Sequence, residues 1–87
     1  MNSLKLARKH LGGHGANRKI ADACGVTDVA VGRWILNGVL PATEITFVGG
    51  RRLTHYGQII ESLTNGAVTD AELTAENELF RASQSAA

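Results

Sequence analysis

The sequence predicts a compact all-α domain of five helices, interrupted by a loop or short extended wing at about 41–52. Three observations predict it. Apolar residues recur at helical spacing, most clearly Leu53, Tyr56, Ile60 and Leu63. Polar capping residues precede such runs, and glycines follow them. Only four aromatics are present (Trp34, Phe47, Tyr56 and Phe80), so the core must come mostly from Leu, Ile, Val and Ala, which suits small packed helices. Eighty-seven residues make one domain, expected over 1–82, with 83–87 as a disordered tail.

Each element follows from local signals. Ser3 is placed to cap a first helix whose apolar side holds Leu4, Leu6, Ala7 and Leu11, and Gly12-Gly13 stops it. Asn17 is the expected cap of a second helix that buries Ile20, Ala21 and Cys24. Gly25 provides a turn position suited to positive φ, with Val26 beneath it. Thr27 caps the third helix, and Asp28 lies near its positive end. Ala30, Val31, Trp34 and Ile35 form the inward stripe, and Asn37-Gly38 ends the helix. In the next segment, a hairpin turning at Gly49-Gly50 would pair Val48 with Arg51 and Phe47 with Arg52. That pairing gives no consistent apolar face, so the expectation is a loop or short wing. Leu53, Tyr56, Ile60 and Leu63 mark the fourth helix, with Gly57 inside it and Asn65-Gly66 closing it. Thr69 and Glu72 form a T-x-x-E capping box for the fifth, with Leu73, Leu79 and Phe80 as its apolar side.

Charge is unevenly distributed. The net charge is +1 overall, but residues 1–40 carry +4, residues 41–60 carry +1 and residues 61–87 carry −4. A polyanion would meet the front of the chain, with the acidic end turned away. The single cysteine, Cys24, excludes an internal disulfide and a cysteine-based zinc site within one chain, and it reads as a small hydrophobe. His10, His14 and His55 lack metal-ligand spacing, because Gly12 and Gly13 break the helix that would align the first two. No metal and no cofactor is expected. No apolar run reaches the roughly 20 residues that span a bilayer, and the start of the chain lacks the apolar block of a secretory signal. The expected setting is the cytoplasm, with no membrane partner.

Residues 17–37, NRKIADACGVTDVAVGRWILN, carry the functional signal. Ala21 is small where two helices would cross. Gly25 permits the turn. Val31 and Trp34 would dock the second helix on the core. Such docking turns Asp28, Val29, Gly32 and Arg33 outward, as a helix-turn-helix DNA reader requires.

The stretch KIADACGVTDVAVGRWILNGVLP, and again QIIESLTNGAVTDAEL, resembles the Cro/repressor-like helix-turn-helix proteins, also called lambda-repressor-like. Within them it is most similar to the small YdaS-type phage and prophage regulators. Together the two stretches cover about half the chain. Two features depart from that pattern: the longer segment Ala42 to Arg52, and Gly32 where a polar residue is usual. The resemblance implies a transcriptional regulator, a Cro-like repressor occluding a promoter in a bacterial or phage-infected cell. It implies base contacts by Asp28 (cytosine amine), Val29 (thymine methyl) and Arg33 (guanine), with Gly32 on the groove face. It implies backbone contacts by Asn17, Arg18 and Thr27, and by Arg51 and Arg52 on the longer segment. The implied partners are a palindromic operator in double-stranded DNA and a second copy of the chain.

Two other function classes compete. An enzyme is disfavoured, since no nucleophile-base pair stands out and LGGHGAN lacks both the G-x-x-x-x-G-K-[ST] pattern and a preceding strand. An antitoxin-like module that neutralises a partner protein, with or without autoregulatory DNA binding, is the alternative. Salt-dependent DNA affinity separates the two.

Overall fold

Helix ends organise this chain as much as its apolar residues do. The computed structural model describes residues 2–85. Its elements are α1 (Ser3–His10), α2 (Ala16–Cys24), α3 (Asp28–Asn37), a short 3-10 turn (Ala42–Ile45), β1 (Phe47–Val48), β2 (Arg51–Arg52), α4 (Tyr56–Leu63) and α5 (Asp70–Ser85). The five helices and their order follow the sequence expectation, and the uncertain middle segment is a small antiparallel hairpin.

Leu4 and Ala7 of α1, Ile20 and Ala21 of α2, and Val31 and Trp34 of α3 meet Leu40, Ile60, Val68 and Leu73 in one core. Each buried leucine, isoleucine or valine among them contributes roughly 1.5–3 kcal/mol by leaving water. Trp34 stacks on Tyr56, with ring centroids 4.9 Å apart, and so joins α3 to the head of α4. Among the described residues no helix is long and apolar enough to cross a membrane.

Acidic side chains distant in sequence cap three of the helices. Glu76 of α5 accepts from the Ser3 amide at 2.9 Å and from the Ser3 hydroxyl, closing the start of α1. Glu44 accepts from the amides of Tyr56 at 2.9 Å and Gly57 at 2.8 Å, at the start of α4. Glu61 accepts from the Asp70 amide at 2.8 Å, at the start of α5. Each carboxylate satisfies amides that have no partner inside their own helix, and each meets the positive end of the helix dipole. The capping box at α5 is also formed: the Thr69 amide donates to Glu72 and the Glu72 amide donates to Thr69 Oγ1.

The hairpin has the pairing that the sequence offered, Phe47 with Arg52 and Val48 with Arg51, and Gly49 and Gly50 both take positive φ at its tip. Phe47 and Val48 remain exposed, so no apolar face holds it. Its base is held instead by Arg52. The guanidinium donates to both Asp70 oxygens at 3.0 Å, to Glu44 at 3.4 Å and to the Thr54 carbonyl at 2.9 Å. The hydrogen bond to Asp70 raises the Arg52 pKa above its already high ordinary value, so this cation stays charged.

Four local expectations are corrected. Asn2 caps α1, accepting from the Lys5 amide at 3.1 Å, because Ser3 is already inside the helix and bound to Glu76. Gly15, at φ 80°, precedes α2 in place of Asn17, whose Oδ1 is turned toward Arg8 Nε at 3.2 Å. Leu53 lies outside α4, since its amide extends the hairpin ladder to the Thr46 carbonyl. Leu79 is 71% exposed, because it is six residues from Leu73 and so falls on a different face of α5. The helix α5 extends through Ser85; Ala86 and Ala87, the end of the expected tail, lie outside the described residues.

Gly57 acquires a reason here. A Cβ at that position would collide with Asp70 Oδ1 and lie 3.3 Å from Glu44 Oε1. Gly57→Ala should therefore destabilise the protein by about 1–3 kcal/mol through overpacking, against the gain of about 1 kcal/mol that alanine gives in an open helix. Urea unfolding of the two proteins measures this, and a more stable variant would contradict the packing described.

Candidate nucleic-acid interface

The geometry of α2 and α3 begins at Ala21. It is 1% exposed, which lets α3 cross close to α2. Gly25 ends α2 at φ 72°, with its amide and that of Val26 both donating to the Ala21 carbonyl. Thr27 then caps α3, its hydroxyl accepting from the Ala30 amide at 3.1 Å. Val31 and Trp34 are buried against the core. The residues opposite them face solvent. Val29 is 64% exposed, and Asp28 and Arg33 are exposed beside it, while Gly32 is half-buried.

The front of α2 lies next to this outward face. Arg18 is exposed, with Nε 3.6 Å from Asp22 and Nη1 4.0 Å from Asp28. Such exposed pairs contribute about 0–1 kcal/mol, so either can be exchanged for a phosphate at little cost. Asn17 is half-buried, and its Nδ2 lies 3.9 Å from where a Cβ on Gly32 would stand. A small polar residue would thus fit at position 32, and the glycine there is not required by crowding. Lys19 donates to the Leu11 carbonyl at 3.2 Å. In contrast to α1, α4 and α5, no side chain caps α2 among the described residues, and its first turn carries no acid.

The structure brings Asn17, Arg18, Thr27, Asp28, Val29, Gly32 and Arg33 together along α2 and α3. It separates the two arginines of the wing. Arg51 is exposed. Arg52 is only 10% exposed and bound on both sides by acids, which removes it from the candidate backbone contacts. A surface hairpin with a buried charge at its base was not visible in the sequence, because the partners Glu44 and Asp70 are 8 and 18 residues away.

Sequence reasoning also missed Leu36. It is 84% exposed on α3, and its separation of seven residues from Val29 was the available signal. Cys24 is half-buried, and burial, aided by the charge of Glu44, pushes its thiol up to about 11. At neutral pH it therefore stays protonated and is a poor nucleophile.

Arg52→Ala should cost about 3 kcal/mol, because it leaves Glu44 buried beside Asp70 without its cation. Arg51→Ala, at an exposed position, should stay within about 0.5 kcal/mol of the parent. Denaturant midpoints compare them, and equal midpoints would contradict the clamp. No protein-family model, no curated protein and no solved structure matches this chain.

Proposed function

We propose that the chain is a sequence-specific double-stranded DNA-binding regulator of the Cro/repressor-like helix-turn-helix type, acting as a repressor by occluding a promoter. The observation that carries this reading is the outward row of α3, fixed from behind by buried Val31 and Trp34 and flanked by the cationic, uncapped front of α2. Free amides at a helix start, with Arg18 beside them, suit a phosphate. The row itself has the length and exposure to enter a major groove.

The roles follow from chemistry. Arg33 pairs with a guanine edge, Val29 presses on a thymine methyl and Asp28 accepts from a cytosine amine. Thr27, Asn17 and Arg18 hold the backbone. Arg51, at the wing, reaches a neighbouring phosphate or the minor groove. One reader helix covers few base pairs, so a homodimer on a palindrome, with half-sites about 34 Å apart, raises specificity.

Selecting bound fragments from random double-stranded DNA, at two salt concentrations, tests the proposal. An enriched palindromic motif supports it, and no enrichment at either salt defeats it. Arg33→Ala should lose about 1–3 kcal/mol on the selected site and relax the preference at one base pair; equal loss on random DNA would make Arg33 a phosphate contact. Arg18→Ala should weaken all sequences alike and flatten the salt slope by about one unit. An unchanged slope would place Arg18 outside the interface.

A further inference from the structure

The most exposed large apolar side chain of the described residues is Leu36, at 84%, and it lies on the outward face of α3. Seven residues turn an α-helix through two turns less about 20° and advance it by about 10.5 Å. Val29 and Leu36 therefore stand almost in line, opposite the buried Val31 and Trp34. Gly32 and Arg33 lie between them. The row reads apolar, open, cationic, apolar.

We infer that Leu36 is a second base-reading residue, seated on a thymine methyl roughly two to four base pairs from the thymine under Val29. This rests on the DNA-reading proposal above. Three features favour base edges over a protein as the occupant. Arg33 sits inside the row, and exposed Arg18 and Lys19 lie at the neighbouring front of α2, so the surroundings suit a polyanion. The acids nearby, Asp22 and Asp28, already face Arg18. A two-fold contact between copies centred on this row would set Arg33 against its own copy. Two apolar side chains also fall far short of the roughly 800 Å² per partner that a stable interface buries. Gly32 fits the same picture, since a missing side chain lets the helix approach the groove floor, where a leucine and a valine reach the methyl groups.

Thymine-to-deoxyuridine exchange removes only the methyl and so reads the contact directly. On the selected operator, single exchanges should reveal two sensitive thymines per half-site, each weakening binding about threefold to tenfold. Leu36→Ala should abolish the sensitivity at one of them and keep it at the other, and Val29→Ala should do the reverse. Both positions are exposed, and circular dichroism is the check that each variant is folded. Leu36→Ala with parent affinity and both sensitivities intact overturns the inference while leaving the DNA reading standing. A selected half-site with no exchange-sensitive thymine overturns it too. If Leu36→Ala changes the sedimentation of the free protein but not its exchange pattern, the row is a protein contact and the inference falls. Failure of the parent chain to bind any selected DNA defeats the underlying reading as well.

Discussion

The buried carboxylate of Glu44 is the constraint on which the lower half of the molecule depends. It is 1% exposed, yet it has four donors: the Tyr56 and Gly57 amides, the Thr54 hydroxyl and Arg52. A charge so placed is tolerable only when its lone pairs are filled and a counter-charge is close. Meeting those needs fixes the start of α4, the base of the hairpin and, through Asp70, the start of α5. The same cluster leaves no room for a Cβ at position 57, where Asp70 Oδ1 is the atom it would strike. Tyr56, set by the same carboxylate, stacks on Trp34, which docks α3. The orientation of the outward row is thus tied to a cluster on another part of the chain.

The uneven charge along the sequence has a structural meaning that a net count hides. Much of the acidic end is not a solvated repellent surface. The carboxylates of Glu61, Glu72 and Glu76 each meet a helix start, and Asp70 binds Arg52. The cations of the front half are mostly exposed, with Arg8 turned partly toward Asn17. Folding therefore engages much of the negative charge in capping, whereas the exposed cations are spread over α1, α2, α3 and the hairpin.

What the sequence made legible was local. Gly25, Thr27, Val31 and Trp34 act over three or four residues, and spacing alone located them. The Thr69-Glu72 box and the hairpin register belong to the same class. What stayed hidden was the competition between local and distant partners. Ser3 reads as a cap until Glu76, 73 residues away, engages it from inside the helix. Asn17 likewise reads as a cap until Arg8 takes its oxygen. Leu53 fits the α4 stripe by spacing, but Arg52 holds the preceding chain in the hairpin. Arg52 itself was grouped with Arg51 because neighbours in a two-residue strand look alike in sequence, although they point to opposite faces. Leu36 was legible and overlooked, since attention to the inward stripe passes over apolar residues on the other side.

The hairpin is fastened at its root and unsupported along its length. Arg52, the last residue of β2, ties the root to Asp70 and Glu44, while Phe47, Val48 and the Gly49-Gly50 tip are exposed. Whatever lies beyond that root is therefore interchangeable from the standpoint of the fold. Residues can be added to the tip, or its side chains exchanged, without disturbing the helices, provided the arginine and its two acids remain. Such a segment can change its length or chemistry while the scaffold behind it stays in place.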